Sequence, residues 1–157
     1  MSNTRRRSAF TLIEVLIVVI IMAVLAATII PQFSSSTKDA MTSTLKFNMH
    51  TLRSQIEMYK VHHLGTLPAI KDNGLPQLTS ATNISGQTGT PGTDYPYGPY
   101  IDNQIPVNPF DNSNKVTAVA TAGATPTGVV GSLGGWQYDA TTGAIWPNNS
   151  EYYTTSE

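Results

Sequence analysis

The chain has 157 residues, no cysteine, nine Lys and Arg against ten Asp and Glu, and a formal net charge of −1. Disulfides, thiolate metal sites and a cysteine nucleophile are therefore excluded, and the charge balance argues against a basic nucleic-acid surface. With an apolar N-terminal stretch set aside, the length suits one small domain and no second one.

Residues 1–9 are polar and basic, with Arg5, Arg6 and Arg7 and no acid, and from Phe10 to Ile30 the chain is apolar apart from a few polar side chains and one charge, Glu14. As a helix rising about 1.5 Å per residue this run is about 30 Å long, the thickness of a bilayer's hydrocarbon core. Arginines on one side only place residues 1–9 in the cytoplasm and everything after Pro31 outside it. A carboxylate at the centre of a membrane helix costs about 2.5–3.5 kcal/mol, less near the interface, and usually has a partner, so Glu14 is a functional candidate. At Ala9-Phe10 a small residue meets a bulky one where the polar leader becomes apolar, and the junction reads as a processing site. A secretory signal peptide competes for the same stretch, with loose cleavage sites at Val24-Leu25-Ala26 and Leu25-Ala26-Ala27. The run is long for that purpose, and Glu14 has no role in a signal peptide.

Pro31 has no amide hydrogen and clashes with the preceding turn, so a kink is expected between residues 27 and 36. Beyond it Met41, Leu45, Met49, Leu52, Ile56 and Tyr59 recur three and four apart, one face of an amphipathic helix, with Arg53 and Glu57 spaced to pair. Whether these are two helices or one is not decided by periodicity. The helix should end near His63-Leu64-Gly65, with Pro68 following. His62 and His63 are adjacent and diverge, and His50 stands alone, so solvated helix-end side chains are expected there rather than a metal site.

From residue 66 the composition turns to Gly, Pro, Ser, Thr and Asn. Gly74-Leu75-Pro76-Gln77-Leu78 is read as a short helical turn with its leucines on the core, Gly86 to Thr93 as a flexible loop, and Tyr95 to Ile101 as a packed aromatic loop. Val116 to Ala120 is one expected strand and Thr127 to Val130 another. Trp136 to Tyr138 and Ala144 to Trp146, on either side of a turn, read as a hairpin, and the tail from Asn148 is polar.

The segment Ala9-Phe10-Thr11-Leu12-Ile13-Glu14-Val15 resembles the leader and N-terminal motif of type IV pilins and type II secretion pseudopilins, and Pro31 lies at a familiar distance. The loop motifs Gly98-Pro99-Tyr100-Ile101, Ile105-Pro106 and Asn108-Pro109-Phe110 are most similar to the major pseudopilin of type II secretion. The resemblance implies a leader at 1–9, cut by a prepilin peptidase between Ala9 and Phe10. It implies N-methylation of Phe10, a membrane or filament-core helix at 10–30, and an exported domain at 31–157. Glu14 would pair with the Phe10 amine of a neighbouring copy. Where the family usually has Gly before the cut, this chain has Ala9. Removal of the leader leaves six basic and ten acidic residues, a net charge of −4.

The implied fold is α+β: one long N-terminal helix, kinked at Pro31, packed on a small C-terminal antiparallel sheet. The implied partners are further copies of the chain, the peptidase, minor pseudopilins and an inner-membrane assembly platform, with no nucleic acid. The implied location is the bacterial inner membrane, single-pass, with a periplasmic domain, and then a filament. A type IV pilin or competence pseudopilin shares everything up to Pro31, and an anchored extracytoplasmic binding domain is the alternative of another class. Enzymatic activity is not expected, because no Ser–His pair, carboxylate pair, phosphate loop or ligand cluster occurs at useful spacing. Family members often hold calcium in a C-terminal loop through carboxylates and carbonyls. Asp102, Asp111, Asn112 and Asn114 are the oxygen-bearing candidates, but the EF-hand glycine and terminal acid are missing, and so is an acidic loop near the C-terminus. An Asx-rich turn is the better reading, and neither a metal residue nor a cofactor is carried over.

Overall fold

A computed structural model describes residues 10–150, and the side chains of all of these except 30–35. Helix α1 runs from Leu12–His62, continuing past Pro31, so the two stretches separated in sequence by that proline share one helical assignment. The chain divides into two compact units between Ala40 and Met41.

From Leu12 onward the described part of the first unit is helical, and its large apolar side chains are exposed, from Leu12 at 84% to Ile29 at 44%. Within it Leu12–Ile29 is long and apolar enough to cross a membrane.

The second unit is built on the far half of α1. Leu45, Met49, Leu52, Ile56 and Tyr59 are fully buried, as their three-and-four spacing requires. They form one core with Leu75, Leu78, Ile101, Ile105, Val116, Trp136, Tyr138 and Ile145. Helix α1 closes in a Schellman-type turn, with Gly65 N–H donating to Lys60 O at 2.8 Å. The left-handed step before that glycine is made by Leu64, at φ 56. Next come the short helix α2 (Pro76–Thr79), with Leu78 buried, and the antiparallel strands β1 (Ala81–Thr82) and β2 (Thr88–Gly89). The segment expected to be a flexible loop thus contains β2. Its turn is shaped by Asn83, whose Oδ1 accepts the Ser85 and Gln87 amides.

The last sheet has the order β3 (Val116–Ala118), β4 (Trp136–Tyr138), β5 (Ile145–Pro147). The expected hairpin is present as the antiparallel pair β4 and β5, with Tyr138 opposite Ile145. Strand β3 lies parallel to β4, so the sheet is mixed and residues 119–135 form a crossover. Gly135 makes the close approach at its end: a Cβ there would overlap the Lys115 backbone, and its φ is +72. No strand forms at Thr127–Val130, contrary to expectation, because the side chains of Gln137 on β4 and Asn148 just after β5 bind its backbone groups.

Candidate functional site

The first residues of α1 carry the geometry with most bearing on function. Phe10 is 80% exposed and not helical, and the helix starts two residues later. Thr11 is its N-cap. The Glu14 amide reaches Thr11 Oγ1 at 3.3 Å, while Glu14 Oε2 accepts both the Thr11 N–H and the Thr11 hydroxyl at 2.8 Å. This is a capping box, in which residues three apart satisfy each other's otherwise unpaired groups at a helix start. The awkward acid of the apolar run therefore has a partner within its own chain. Thr11 was not singled out from the sequence, although Thr-x-x-Glu before an apolar run is the signature of this box. Ala9 lies outside the described residues. Pro31 lies within α1, and Phe10 makes no bond to Glu14 among the contacts of the described residues.

A second polar cluster surrounds the end of α1. His63, expected in solvent, is 1% exposed and stacks on Tyr59 with ring centroids 3.8 Å apart. Its Nδ1 lies 2.8 Å from Tyr59 O, and its Nε2 lies 3.0 Å from Thr82 Oγ1. His62 is half-buried and bonds Tyr100 OH at 2.9 Å. Tyr97 and Tyr100 from the aromatic loop pack on both histidines. Burial raises the pKa of Tyr100. The Nε2 contact of His63 joins the end of α1 to β1, and the rings of Tyr97 and Tyr100 close over it, which makes the cluster a structural joint.

A surface cavity of about 480 Å³ is lined by Arg53, Glu57, Thr125, Thr142, Gly143, Ala144 and Trp146. Burial lowers the pKa of Arg53, whose Nη2 donates to Ile145 O. Glu57 pairs with Lys60 at 3.2 Å on the helix surface.

The calcium implied by the resemblance would have to bind through carboxylates of the C-terminal region. Between Lys115 and Ser150 the only carboxylate is Asp139. Its Oδ2 accepts the Gly123 amide at 2.6 Å, and its Oδ1 accepts the Thr141 amide and hydroxyl at 2.8 and 2.6 Å. Burial raises its pKa, but the Thr141, Gly123 and Thr142 hydrogen bonds outweigh that and hold it at about 2. Asp111 is occupied in the same way: Oδ1 accepts the Ser113 amide in an Asx turn, and Oδ2 accepts the Gly135 amide. Each oxygen already accepts at least one hydrogen, and two carboxylates supply only a part of the six to eight oxygens that calcium takes. These residues do not fit the ion.

Two family models match the chain: a prokaryotic N-terminal methylation motif over residues 4–30, and type II secretion system protein G over residues 32–143. Type II secretion system core protein G of Pseudomonas aeruginosa is 30% identical over 148 residues, 92% of this chain and 98% of that protein. The protein of the same name from Vibrio cholerae is 25% identical over 85% of this chain and 86% of its own length. That from Klebsiella pneumoniae is 26% identical over 71% and 75%. No solved structure gives a significant match.

Proposed function

The chain belongs to the protein G family of type II secretion systems, and from that premise we propose how its N-terminal motif acts. It is a pseudopilin, a structural subunit of a pseudopilus, held in a membrane by one apolar helix. In our reading, residues 1–9 stay cytoplasmic as a leader, and a prepilin peptidase cuts between Ala9 and Phe10. The new Phe10 amine is methylated. Residues 10–30 serve first as anchor and then as filament core, residues 31–157 form the exported domain, and α1 bends at Pro31. Glu14 then meets the Phe10 amine of a neighbouring copy and sets axial register, a role better motivated than net stabilisation for an ion pair taken out of water. Other copies, minor pseudopilins and an inner-membrane platform are the partners, and we assign no catalytic role.

The observation that carries this reading is the exposure of the apolar side chains from Leu12 to Ile29. Such a surface is not stable in water and has to be covered by lipid or by like helices. A helix that exchanges one cover for the other needs no large change of its own structure. Mass spectrometry of the mature protein tests the processing step. An N-methylated Phe10 terminus is expected, and a chain starting at Ala27 or Thr28 would overturn the proposal in favour of signal peptidase.

A further inference from the structure

The crossover of residues 119–135 has almost no regular structure, yet its backbone is tied to the sheet at successive points. Asp139 in the turn after β4 takes the Gly123 amide at 2.6 Å. Gln137 Nε2, from the centre of β4, donates to Gly128 O at 2.9 Å. Asn148, directly after β5, does the most: its Oδ1 accepts the Val130 amide at 2.8 Å, and its Nδ2 donates to Val130 O at 2.8 Å and Gly134 O at 3.3 Å. Ser113 Oγ donates to Leu133 O at 2.7 Å, and Asp111 receives the Gly135 amide at 2.9 Å. Gln137, Asp139 and Asn148 are all at least 96% buried, where a hydrogen bond has little competition from water.

We propose that these side chains form a clamp that fastens the β3–β4 crossover, a C-terminal loop of the kind in which the family resemblance implies calcium, to the sheet without a divalent cation. Two independent features carry this. Residues 119–134 contain no Asp or Glu, so the crossover brings no anionic ligand of its own. The neighbouring carboxylates, Asp111 and Asp139, already have N–H groups on both oxygens. An ion entering here would have to compete with the bonds that hold the crossover, whereas in a calcium loop the ion itself is the tie. The remaining buried acceptor, Gln137 Oε1, has no hydrogen-bond partner among the described residues and belongs to a neutral amide. Gln137 and crossover residues line a cavity of about 210 Å³, and a neutral oxygen beside such a space suits a water hydrogen.

The test is hydrogen exchange by mass spectrometry on peptides covering 119–135, with the full chain in detergent micelles, after EGTA treatment and again with millimolar calcium chloride. Protection and the unfolding midpoint are expected to be the same in both. Asn148→Ala, which removes all three of its bonds, should speed exchange in these peptides by at least about tenfold, the scale of one such bond, with or without calcium. Asp139→Asn, which sets an amide hydrogen against the Gly123 amide, serves as the second variant should the first fail to fold. Protection that falls on chelation and returns with calcium would overturn the proposal, as would unchanged exchange in the two variants.

Discussion

Nε2 of His63 lies 3.0 Å from Oγ1 of Thr82, which joins the end of α1 to β1 through a single buried contact. Because the Tyr59 carbonyl can only accept, the ring's other nitrogen carries the hydrogen of that bond. Thr82→Val keeps the shape of β1 but leaves Nε2 without this partner. We expect a loss of about 1–3 kcal/mol, the penalty for a buried polar atom left unsatisfied. A denaturant titration of the variant should show the lower midpoint at an unchanged slope.

The capping box predicts a separable effect at the other end of the helix. Thr11→Ala removes the N-cap hydroxyl, and about 1 kcal/mol of local helix stability is expected to go with it. The change should appear as faster amide exchange at Glu14 and Val15 in micelles, with the domain's melting unaltered. Glu14→Ala disrupts the same box and also removes the carboxylate. It should insert and be cut, yet assemble poorly, and a normal filament yield would refute the register role.

Leu64 holds a φ of 56 at the position after α1 where glycine is usual, and its side chain is 86% exposed. A left-handed conformation disfavours any residue with a Cβ by about 1–2 kcal/mol. Part of that is regained in Leu64→Gly, since glycine also loses more freedom on folding. A stabilisation of about 0.5–1 kcal/mol is expected, read as a raised thermal midpoint.

Asp139 predicts the acid limb of the stability curve. Its folded pKa of about 2 lies below the ordinary 3.8, so its contribution is complete above pH 3.8 and disappears as pH falls toward 2. Unfolding midpoints measured across this window should drop for the wild type. In Asp139→Asn the fall should be shallower from a lower starting value.

Much of the domain could be read from residue spacing, because burial of one helix face imposes a period. Leu45 to Tyr59 illustrate this, and Leu75 and Leu78 also took their expected places. His63 was misread for a physical reason: it follows Tyr59 by four and so continues the buried stripe, but its polarity suggested solvent. The Thr127–Val130 error is of another kind. Its residues favour a strand, yet Asn148 occupies both backbone groups of Val130, a tertiary contact that local propensity does not contain. The parallel placement of β3 was equally hidden, since short strands carry no mark of their neighbour's direction. At the processing motif, Phe10 and Glu14 stood out by chemistry, whereas Thr11 needed the geometry of the helix start.

Both bonds from Thr11 fall on the same oxygen of Glu14, Oε2. The other oxygen, Oε1, takes neither. One carboxylate can therefore end its own helix and greet an amine from outside at the same time, with no need to choose. In the proposed filament, a neighbouring subunit's amine would meet a carboxylate already held by its own helix start, and the first turn would not have to unwind to receive it.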